Sequence, residues 1–174
     1  AGEEMQIWEI ASSGDNSFKK VAHFSSNDLV SFQMPKIIKS LACTCINGSV
    51  VAVFSDNYST YWYKLDLGHG KRIQRLGIVE GKECLFDVKM LTIPETNTIC
   101  VFELDENGRV QEKIVEMEGD VMNVISRRFY PRKFPLASRL EVESIQDASL
   151  SVLAVCHLNG VHVYFISKHS QMEV

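Results

Sequence analysis

Hydrophobic positions along this chain fall in short runs, and two of these runs repeat one pattern. Residues 50–54 (Val-Val-Ala-Val-Phe) lead through a short polar turn into the aromatic segment 61–65. Residues 152–156 (Val-Leu-Ala-Val-Cys) lead through an Asn-Gly turn into the aromatic segment 161–165. Each pattern is typical of a β-hairpin whose two strands are covered on both faces. A repeated hairpin of this kind predicts a scaffold of stacked sheets, as in propeller blades or a sandwich.

The rest of the chain continues in short apolar or alternating segments separated by turn signals. Besides the two repeated hairpins, strands are predicted at residues 5–10, 18–24, 40–46, 72–79, 84–91, 98–104, 109–117, 121–125 and 140–145. Asn47-Gly48 and Asn107-Gly108 are strong hairpin-turn signals. Residues 126–135 are predicted to form a proline-bounded loop, and Pro35 limits any helix between residues 27 and 40 to a single turn. The pattern therefore predicts an all-β protein.

The strand centres recur with a regular spacing. Trp8, Trp62, Ile114 and Tyr164 lie about fifty residues apart, and repeats of roughly 40–50 residues are typical of propeller blades. Residues 62–69 (Trp-Tyr-Lys-Leu-Asp-Leu-Gly-His) resemble the blade junction of WD40-like proteins, in which an aromatic-plus-acid strand end precedes a Gly-His that opens the next blade. No Gly-His follows the other three centres. The chain is therefore similar to degenerate WD40-like propeller repeats, which implies antiparallel blades and a protein-binding role.

Chain length limits how many blades are present. The 174 residues hold about three to four such repeats, whereas a closed propeller needs roughly four to eight. We therefore predict one all-β domain over residues 1–174 with three to four blade-like repeats. Three resolutions stay open: the chain is a fragment of a longer propeller, a partner completes the propeller, or the repeat belongs to a β-sandwich.

Composition and motifs argue against several classes of function. The net charge of −4 provides no general attraction to nucleic acid or anionic membranes. No apolar run approaches the ~20 residues of a membrane-spanning helix. The sequence contains no phosphate-binding loop, hydrolase nucleophile elbow, zinc-protease motif or dinucleotide fingerprint. We therefore predict a protein that is not an enzyme and that uses neither a cofactor nor a metal.

The cysteines indicate the compartment. Their number is odd and they stand mostly inside apolar runs, at Cys43, Cys45, Cys84, Cys100 and Cys156. This usage predicts free, buried thiols in a reducing environment, and therefore an intracellular protein of the cytoplasm or nucleus. Cys43 and Cys45 are two apart in a predicted strand, so they are expected on the same face.

A local inversion of charge between residues 126 and 139 is the candidate binding feature. Residues 126–135 carry four basic residues, three aromatic residues and no acid, and Arg139 follows. Arginine and aromatic residues are favoured at interface hot spots. The candidate interaction residues are Arg127, Arg128, Phe129, Tyr130, Arg132, Lys133, Phe134 and Arg139.

Three interpretations of this basic-aromatic stretch stay open. It forms a protein interface, or it binds nucleic acid or a phosphoinositide, or it is a solvated loop that Phe129 and Phe134 anchor to the core. Basic and aromatic residues together suit single-stranded nucleic acid, with Tyr130 or Phe134 stacking on bases and the cations on the backbone.

Two further features have structural explanations that can be tested. If Asn159-Gly160 form the centre of a two-residue turn, His157 pairs with His162 at a Cβ separation of about 4.5–5.5 Å. Two imidazoles without a third ligand do not make a metal site, so we expect a half-exposed polar pair. Seven acidic residues between positions 103 and 120 predict an exposed hairpin kept soluble by its charge.

These observations lead to one prediction of function and one alternative. We predict a protein–protein interaction scaffold that is a subunit of an intracellular multiprotein complex, with a protein partner that binds the loops and residues 126–139 or completes the propeller. The alternative is a nucleic-acid-binding β-domain that uses residues 126–139.

Overall fold

The described chain is built almost entirely of antiparallel strands. The computed structural model describes residues 4–10, 18–31, 33–35, 37–46, 48–66, 72–80, 84–93, 96–145, 150–167 and 171–173. Within these residues four sheets form, and within each sheet consecutive strands pair with each other. Among the same residues no helix is long and apolar enough to cross a membrane.

The first sheet has two strands and the other three have four each. The first contains β1 (Met5–Ile10) and β2 (Phe18–Phe24), and the short helix α1 (Ser26–Ser31) follows. The second contains β3 (Ser40–Ile46), β4 (Ser49–Ser55), β5 (Ser59–Asp66) and β6 (Arg72–Glu80). The third contains β7 (Leu85–Ile93), β8 (Thr98–Asp105), β9 (Arg109–Glu118) and β10 (Val121–Lys133). The fourth contains β11 (Ala137–Ser144), β12 (Leu150–His157), β13 (Gly160–Ser167) and β14 (Gln171–Glu173).

Neighbouring sheets pack face to face through apolar clusters. One cluster joins the second and third sheets through Val53, Trp62, Val88, Val101 and Val115. A second cluster joins the third and fourth sheets through Phe102, Leu104, Leu140, Leu153 and Tyr164. The first strands of successive sheets are also neighbours, since β3 contacts β7 and β7 contacts β11. Sheets that radiate from adjacent first strands are propeller blades, so the propeller-like all-β prediction is confirmed.

A buried carboxylate ties three of the sheets together near these first strands. Asp87 on β7 accepts a hydrogen bond from Ser40 Oγ of β3 at 2.6 Å and from the Leu140 amide of β11 at 2.8 Å. It also accepts from the amide of Val88 at 2.9 Å. Side-chain acceptors of this kind satisfy amides that the sheet ladders leave without a partner.

In two sheets, an aspartate side chain fixes the turn between the second and third strands. The Asp56 carboxylate accepts hydrogen bonds from the amides two and three residues later, at 2.8 Å each. The Asp105 carboxylate accepts from the amides two and four residues later, at 2.9 Å each. Burial alone would raise the pKa of Asp56, but its hydrogen bonds outweigh burial and hold the pKa below its usual value. These aspartates fix the two turns and are structural.

The resemblance to a blade junction at Gly68-His69 is misplaced. Residues 67–71 lie outside the described part of the chain, but β5 before them and β6 after them belong to one sheet. The dipeptide therefore connects the third and fourth strands of a sheet and does not open the next one. The spacing of the strand centres is nevertheless correct, because Trp62, Ile114 and Tyr164 all lie in third strands.

The predicted histidine pair is also wrong in its register. His157 pairs with Gly160 and His162 pairs with Val155, so Leu158 and Asn159 form the turn. The two-residue turn therefore lies one residue earlier than the Asn-Gly signal predicts. Both imidazoles lie against the Phe134 ring, with centroids 5.8 Å and 5.1 Å away. In the described residues no group of three or more potential metal ligands is present.

The cysteines match the prediction only in part. All five are free, and Cys100 is buried, where burial raises the pKa of its thiol. Cys43 and Cys45 are exposed, however, and the other two are intermediate, so the prediction of buried thiols is wrong for β3. An apolar run predicts a strand but does not show whether a neighbouring sheet covers it.

Candidate interaction surface

The basic-aromatic stretch lies mainly in a strand and not in the predicted loop. Strand β10 continues to Lys133 and is the outermost strand of the third sheet. Its pairing with β9 passes through two irregularities, one between Val124 and Ser126 and one between Phe129 and Lys133. Pro131 is accommodated at the second irregularity, because an edge strand can lack one ladder hydrogen bond. The loop prediction over residues 126–135 is therefore wrong up to residue 133.

Two of the candidate residues hold a buried carboxylate in place. The Arg128 guanidinium donates to both carboxylate oxygens of Glu112 at 2.9 Å, and the Tyr130 hydroxyl donates to one of them at 3.0 Å. Tyr130 is buried and its ring packs edge-on against Tyr164, with centroids 4.6 Å apart. Burial raises the pKa of the Tyr130 phenol, and the charge of Glu112 raises it further. Arg128 and Tyr130 therefore hold Glu112 within the third sheet, and Tyr130 also contacts the fourth sheet.

Phe134 is also a structural residue. Its side chain is buried in the cluster between the third and fourth sheets, and its amide donates to the Gly108 carbonyl at 2.7 Å. Gly108 has a φ of +71°, and a Cβ there would lie 2.0 Å from the Phe134 carbonyl oxygen. Only glycine fits this turn, because the backbone after β10 passes directly over it. The Arg132 guanidinium lies over the outer side of the Phe134 ring, 5.5 Å from its centroid.

The remaining candidates face solvent. Phe129 is 59% exposed, and Arg127, Arg132 and Lys133 are exposed as well. Among the described residues these three cations form no ion pair. Arg139 is exposed and paired with Glu141 on its own strand. Among the eight candidate residues the structure therefore leaves three cations without an ion pair to a described residue and one exposed large apolar side chain, Phe129.

Two exposed leucines adjoin the stretch and were not among the predicted residues. Ala137 pairs with His157, so Leu136 directly precedes and Leu158 directly follows a paired residue at the end of the β11–β12 ladder. They are 71% and 77% exposed. Leu136 has a φ of +64°, which is uncommon outside glycine. The sequence around Leu136 does not predict this conformation. We call Arg127, Phe129, Arg132, Lys133, Leu136 and Leu158 the β10 surface.

The predicted acidic hairpin is less exposed than its charge suggested. Glu103 is buried and forms an ion pair with the buried Lys113 at 2.5 Å. Glu112 and Asp105 are buried too, and each accepts the hydrogen bonds described above. The prediction of a solvated hairpin is therefore wrong for these three residues. Cross-strand cations explain the difference for Glu103 and Glu112, and the amides of its own turn explain it for Asp105, since paired carboxylates can be buried.

A polar depression lies where the third and fourth strands of the second sheet meet the β9–β10 turn. It encloses about 150 Å³ and is lined by Lys64, Asp66, Arg72, Gln74 and Asp120. Lys64 donates to Asp120 at 2.8 Å, and this bond, with one from Gln74, lowers the pKa of the Asp120 carboxyl. Two cations and two carboxylates balance each other, so this depression has no net charge with which to select an ion.

Comparison with known proteins shows the fold. No family model matches the chain, and no curated protein sequence matches it. The structure is similar to the WD40 domain of SCAP from fission yeast, with a TM-score of 0.56 and 14% identity, over 99% of this chain and 44% of that domain. It also matches the β-propeller domain of Nup133 from Vanderwaltozyma polyspora, with a TM-score of 0.47 and 13% identity, over 95% of this chain and 53% of that one. The chain has a propeller fold and spans less than half the length of the SCAP domain.

Proposed function

We propose that this protein is a protein-interaction scaffold, a non-enzymatic subunit of an intracellular multiprotein complex. Its β10 surface binds a segment of a partner protein that is acidic and carries apolar anchors. The observation that carries this proposal is the combination of three exposed large apolar residues, Phe129, Leu136 and Leu158, with cations that form no ion pair with any described residue. Exposed apolar groups bordered by charge are typical of interaction sites.

Charge complementarity supports an acidic partner segment. Residues 126–139 contain five basic residues and no acid, in a chain whose net charge is −4. Two of the five form ion pairs, Arg128 with Glu112 and Arg139 with Glu141. The other three, Arg127, Arg132 and Lys133, remain available to a partner. An acidic segment would pair with these three and would bury its apolar side chains on Phe129 and Leu136. The five free thiols support an intracellular site for this complex.

The nucleic-acid alternative has less support. Tyr130 and Phe134, the residues expected to stack on bases, are both buried against the fourth sheet. Phe129 alone is left as an exposed aromatic residue in the stretch, whereas binding of single strands uses stacking at successive bases.

Affinity purification from nuclease-treated cell extract tests the proposal with matched variants. The test variant combines Arg132→Glu, Lys133→Glu and Leu136→Ser. The control variant combines Lys20→Glu, Arg72→Glu and Val121→Ser, which makes the same changes at exposed positions elsewhere. We expect one partner protein to co-purify with the wild type and the control, and at least tenfold less of it with the test variant.

Two results would contradict the proposal. Equal recovery with all three proteins would show that the β10 surface is not the binding site. Recovery of the partner only when nuclease is omitted would show that nucleic acid bridges the two, as the alternative requires. Thermal melting of each variant establishes that a loss of binding is not a loss of folding.

A further inference from the structure

Strand β10 has one open edge. It is the last strand of the third sheet, and among the described residues no strand pairs with its outer side. It has 13 residues, ten of which are exposed. The outer strand of the second sheet, β6, has nine residues, of which four are exposed. Strand β10 therefore presents more of its length to a partner than β6 does.

The hydrogen bonds of β9 show which backbone groups of β10 point toward the open edge. The Met117 amide of β9 donates to the Asn97 carbonyl at 2.8 Å, so it points toward the β8 side and away from β10. Met117 pairs with Met122, which therefore lies in a non-hydrogen-bonded pair and directs its N–H and C=O outward. Because this arrangement alternates along an antiparallel ladder, the same holds for Val124, Arg127 and Phe129.

The other end of β9 agrees with this alternation. The Gly108 carbonyl accepts from the Phe134 amide at 2.7 Å, so it points toward the β10 side. Gly108 and Met117 are an odd number of residues apart, as backbone groups that point to opposite sides of a strand should be. Arg127 and Phe129 are exposed, so their outward backbone groups are open to solvent as well.

The outward-directed residues also share one face of the sheet. Met122 packs against the cluster between the second and third sheets. Arg127 and Phe129 lie on the same face, because their partners on β9 are four and six residues from the partner of Met122. A strand added at this edge would therefore place every second side chain beside this row.

We propose that the acidic segment of the partner binds as an additional antiparallel strand on the open edge of β10, along residues 122–129. This inference rests on the proposed function, because it concerns the same partner and adds how that partner is held. Main-chain hydrogen bonds provide affinity in this mode, and alternate side chains provide specificity. In the antiparallel arrangement, an apolar residue opposite Phe129 is followed two positions later by Asp or Glu opposite Arg127.

The charge of the edge selects this occupant. Every charged residue of β10 is a cation, whereas β6 carries two arginines and one glutamate. Pairing of two β10 edges from two copies of this chain would bring like charges together across the strands, which is destabilising. A strand with acidic residues on one face pairs favourably with the same edge. The cations therefore oppose self-association and favour an acidic partner strand.

A synthetic peptide with blocked ends provides a defined probe. Its sequence is Thr-Glu-Thr-Ile-Thr-Glu-Thr-Ile, and the control peptide, Glu-Glu-Thr-Thr-Thr-Thr-Ile-Ile, has the same composition without the alternation. Amide hydrogen exchange of the full chain is measured by NMR with each peptide. We expect the alternating peptide to slow exchange at Val124, Arg127 and Phe129 at least fivefold, and the control peptide to leave it unchanged.

A pair of substitutions isolates the main-chain hydrogen bond. Arg127→Ala and Arg127→Pro remove the same guanidinium, but only proline removes the outward amide, and an edge strand tolerates proline where its N–H faces solvent. We expect the Kd of the alternating peptide to be at least tenfold higher for Arg127→Pro than for Arg127→Ala. Thermal melting of both variants checks that they are folded, and if the proline variant is not, the exchange experiment on the wild type decides.

Ile78 on β6 provides the matched control. The Ser59 carbonyl accepts from the Asp56 amide on the β4 side, so Tyr61, two residues later, points the same way. Its partner Ile78 therefore directs its amide to the outer edge of β6. Ile78→Ala and Ile78→Pro should bind the peptide equally well.

The outcomes separate this inference from the proposed function. Absence of peptide binding at about 1 mM, or equal binding by Arg127→Ala and folded Arg127→Pro, would overturn the added strand. If the variant with Arg132→Glu, Lys133→Glu and Leu136→Ser still loses the partner in that case, side chains alone hold the partner and the proposed function stands. Equal recovery of the partner with that variant contradicts the proposed function itself.

Discussion

Removing the Asp87 carboxylate is the most direct test of how the sheets are held together. Asp87 accepts from Ser40 Oγ at 2.6 Å, from the Val88 amide at 2.9 Å and from the Leu140 amide at 2.8 Å. The three donors therefore come from the second, third and fourth sheets. The substitution Asp87→Ala removes the acceptor from all three, and Asp87→Asn changes one oxygen into a donor without changing the shape.

The expected loss follows from which donors find another acceptor. Ser40 Oγ also lies 3.4 Å from the Val88 carbonyl oxygen and 3.1 Å from the Val88 amide nitrogen. Without Asp87, the Ser40 hydroxyl can therefore still donate to the Val88 carbonyl and accept from the Val88 amide. The buried Leu140 amide loses its acceptor, and a hydrogen bond to a charged group is worth about 1.5–3 kcal/mol. We therefore expect Asp87→Ala to lower the free energy of unfolding by about 2–4 kcal/mol. Asp87→Asn should cost about 1.5–3 kcal/mol, because a carboxamide cannot accept from both sides.

Chemical denaturation followed by tryptophan fluorescence measures this loss, because Trp62 is buried between the second and third sheets. The control is Glu118→Gln at an exposed end of β9, which should change stability by less than about 0.5 kcal/mol. Asp87 variants that unfold within 0.5 kcal/mol of the wild type would refute the reasoning. In that case apolar contacts alone would hold the sheets together.

Two further predictions concern the turns and the alkaline limit of stability. Gly108→Ala should lower the free energy of unfolding by more than Gly119→Ala. Both glycines have positive φ, which costs a residue with a Cβ about 1–2 kcal/mol, but only Gly108 would clash with the Phe134 carbonyl. Denaturation of the two variants checks the difference, and equal losses would contradict the close approach. Burial raises the pKa of Tyr63 to about 12 from 10, so the neutral phenol stabilises the fold fully below pH 10, and this contribution is lost as pH rises through 12. Melting temperatures between pH 8 and 11.5 should therefore fall less steeply for Tyr63→Phe than for the wild type, and parallel curves would contradict this assignment.

The strands were predictable because their signals are local. Alternation or a short apolar run identified residues 5–10, 40–46 and 98–104 almost to the residue. Asn47-Gly48 identified its hairpin, since Ile46 pairs with Ser49 and Gly48 has a φ of +73°. The spacing of about fifty residues identified repeats, because one blade is one repeated unit.

The candidate surface was predictable only in part. The charge inversion at residues 126–139 was visible in the sequence, and the three unpaired cations come from it. Tyr130 and Phe134 were buried by the fourth sheet, and Arg128 was paired by a carboxylate sixteen positions earlier. Leu136 and Leu158 each adjoin the Ala137–His157 pair that ends the β11–β12 ladder. None of these contacts is local, so spacing along the chain could not reveal them.

The amino-acid sequence by itself determined the strands, the repeat length, the composition and the place where positive charge collects. Each of these depends on residues within a few positions of one another, where backbone geometry and side-chain polarity decide the outcome. The tertiary structure alone decided which strands border solvent, which aromatic residues are buried and which thiols are exposed. Leu41 and Leu140 occupy equivalent inner strands, yet one is half exposed and the other is buried. The difference lies in whether another sheet stands in front of the strand, and burial is therefore a property of the assembled sheets.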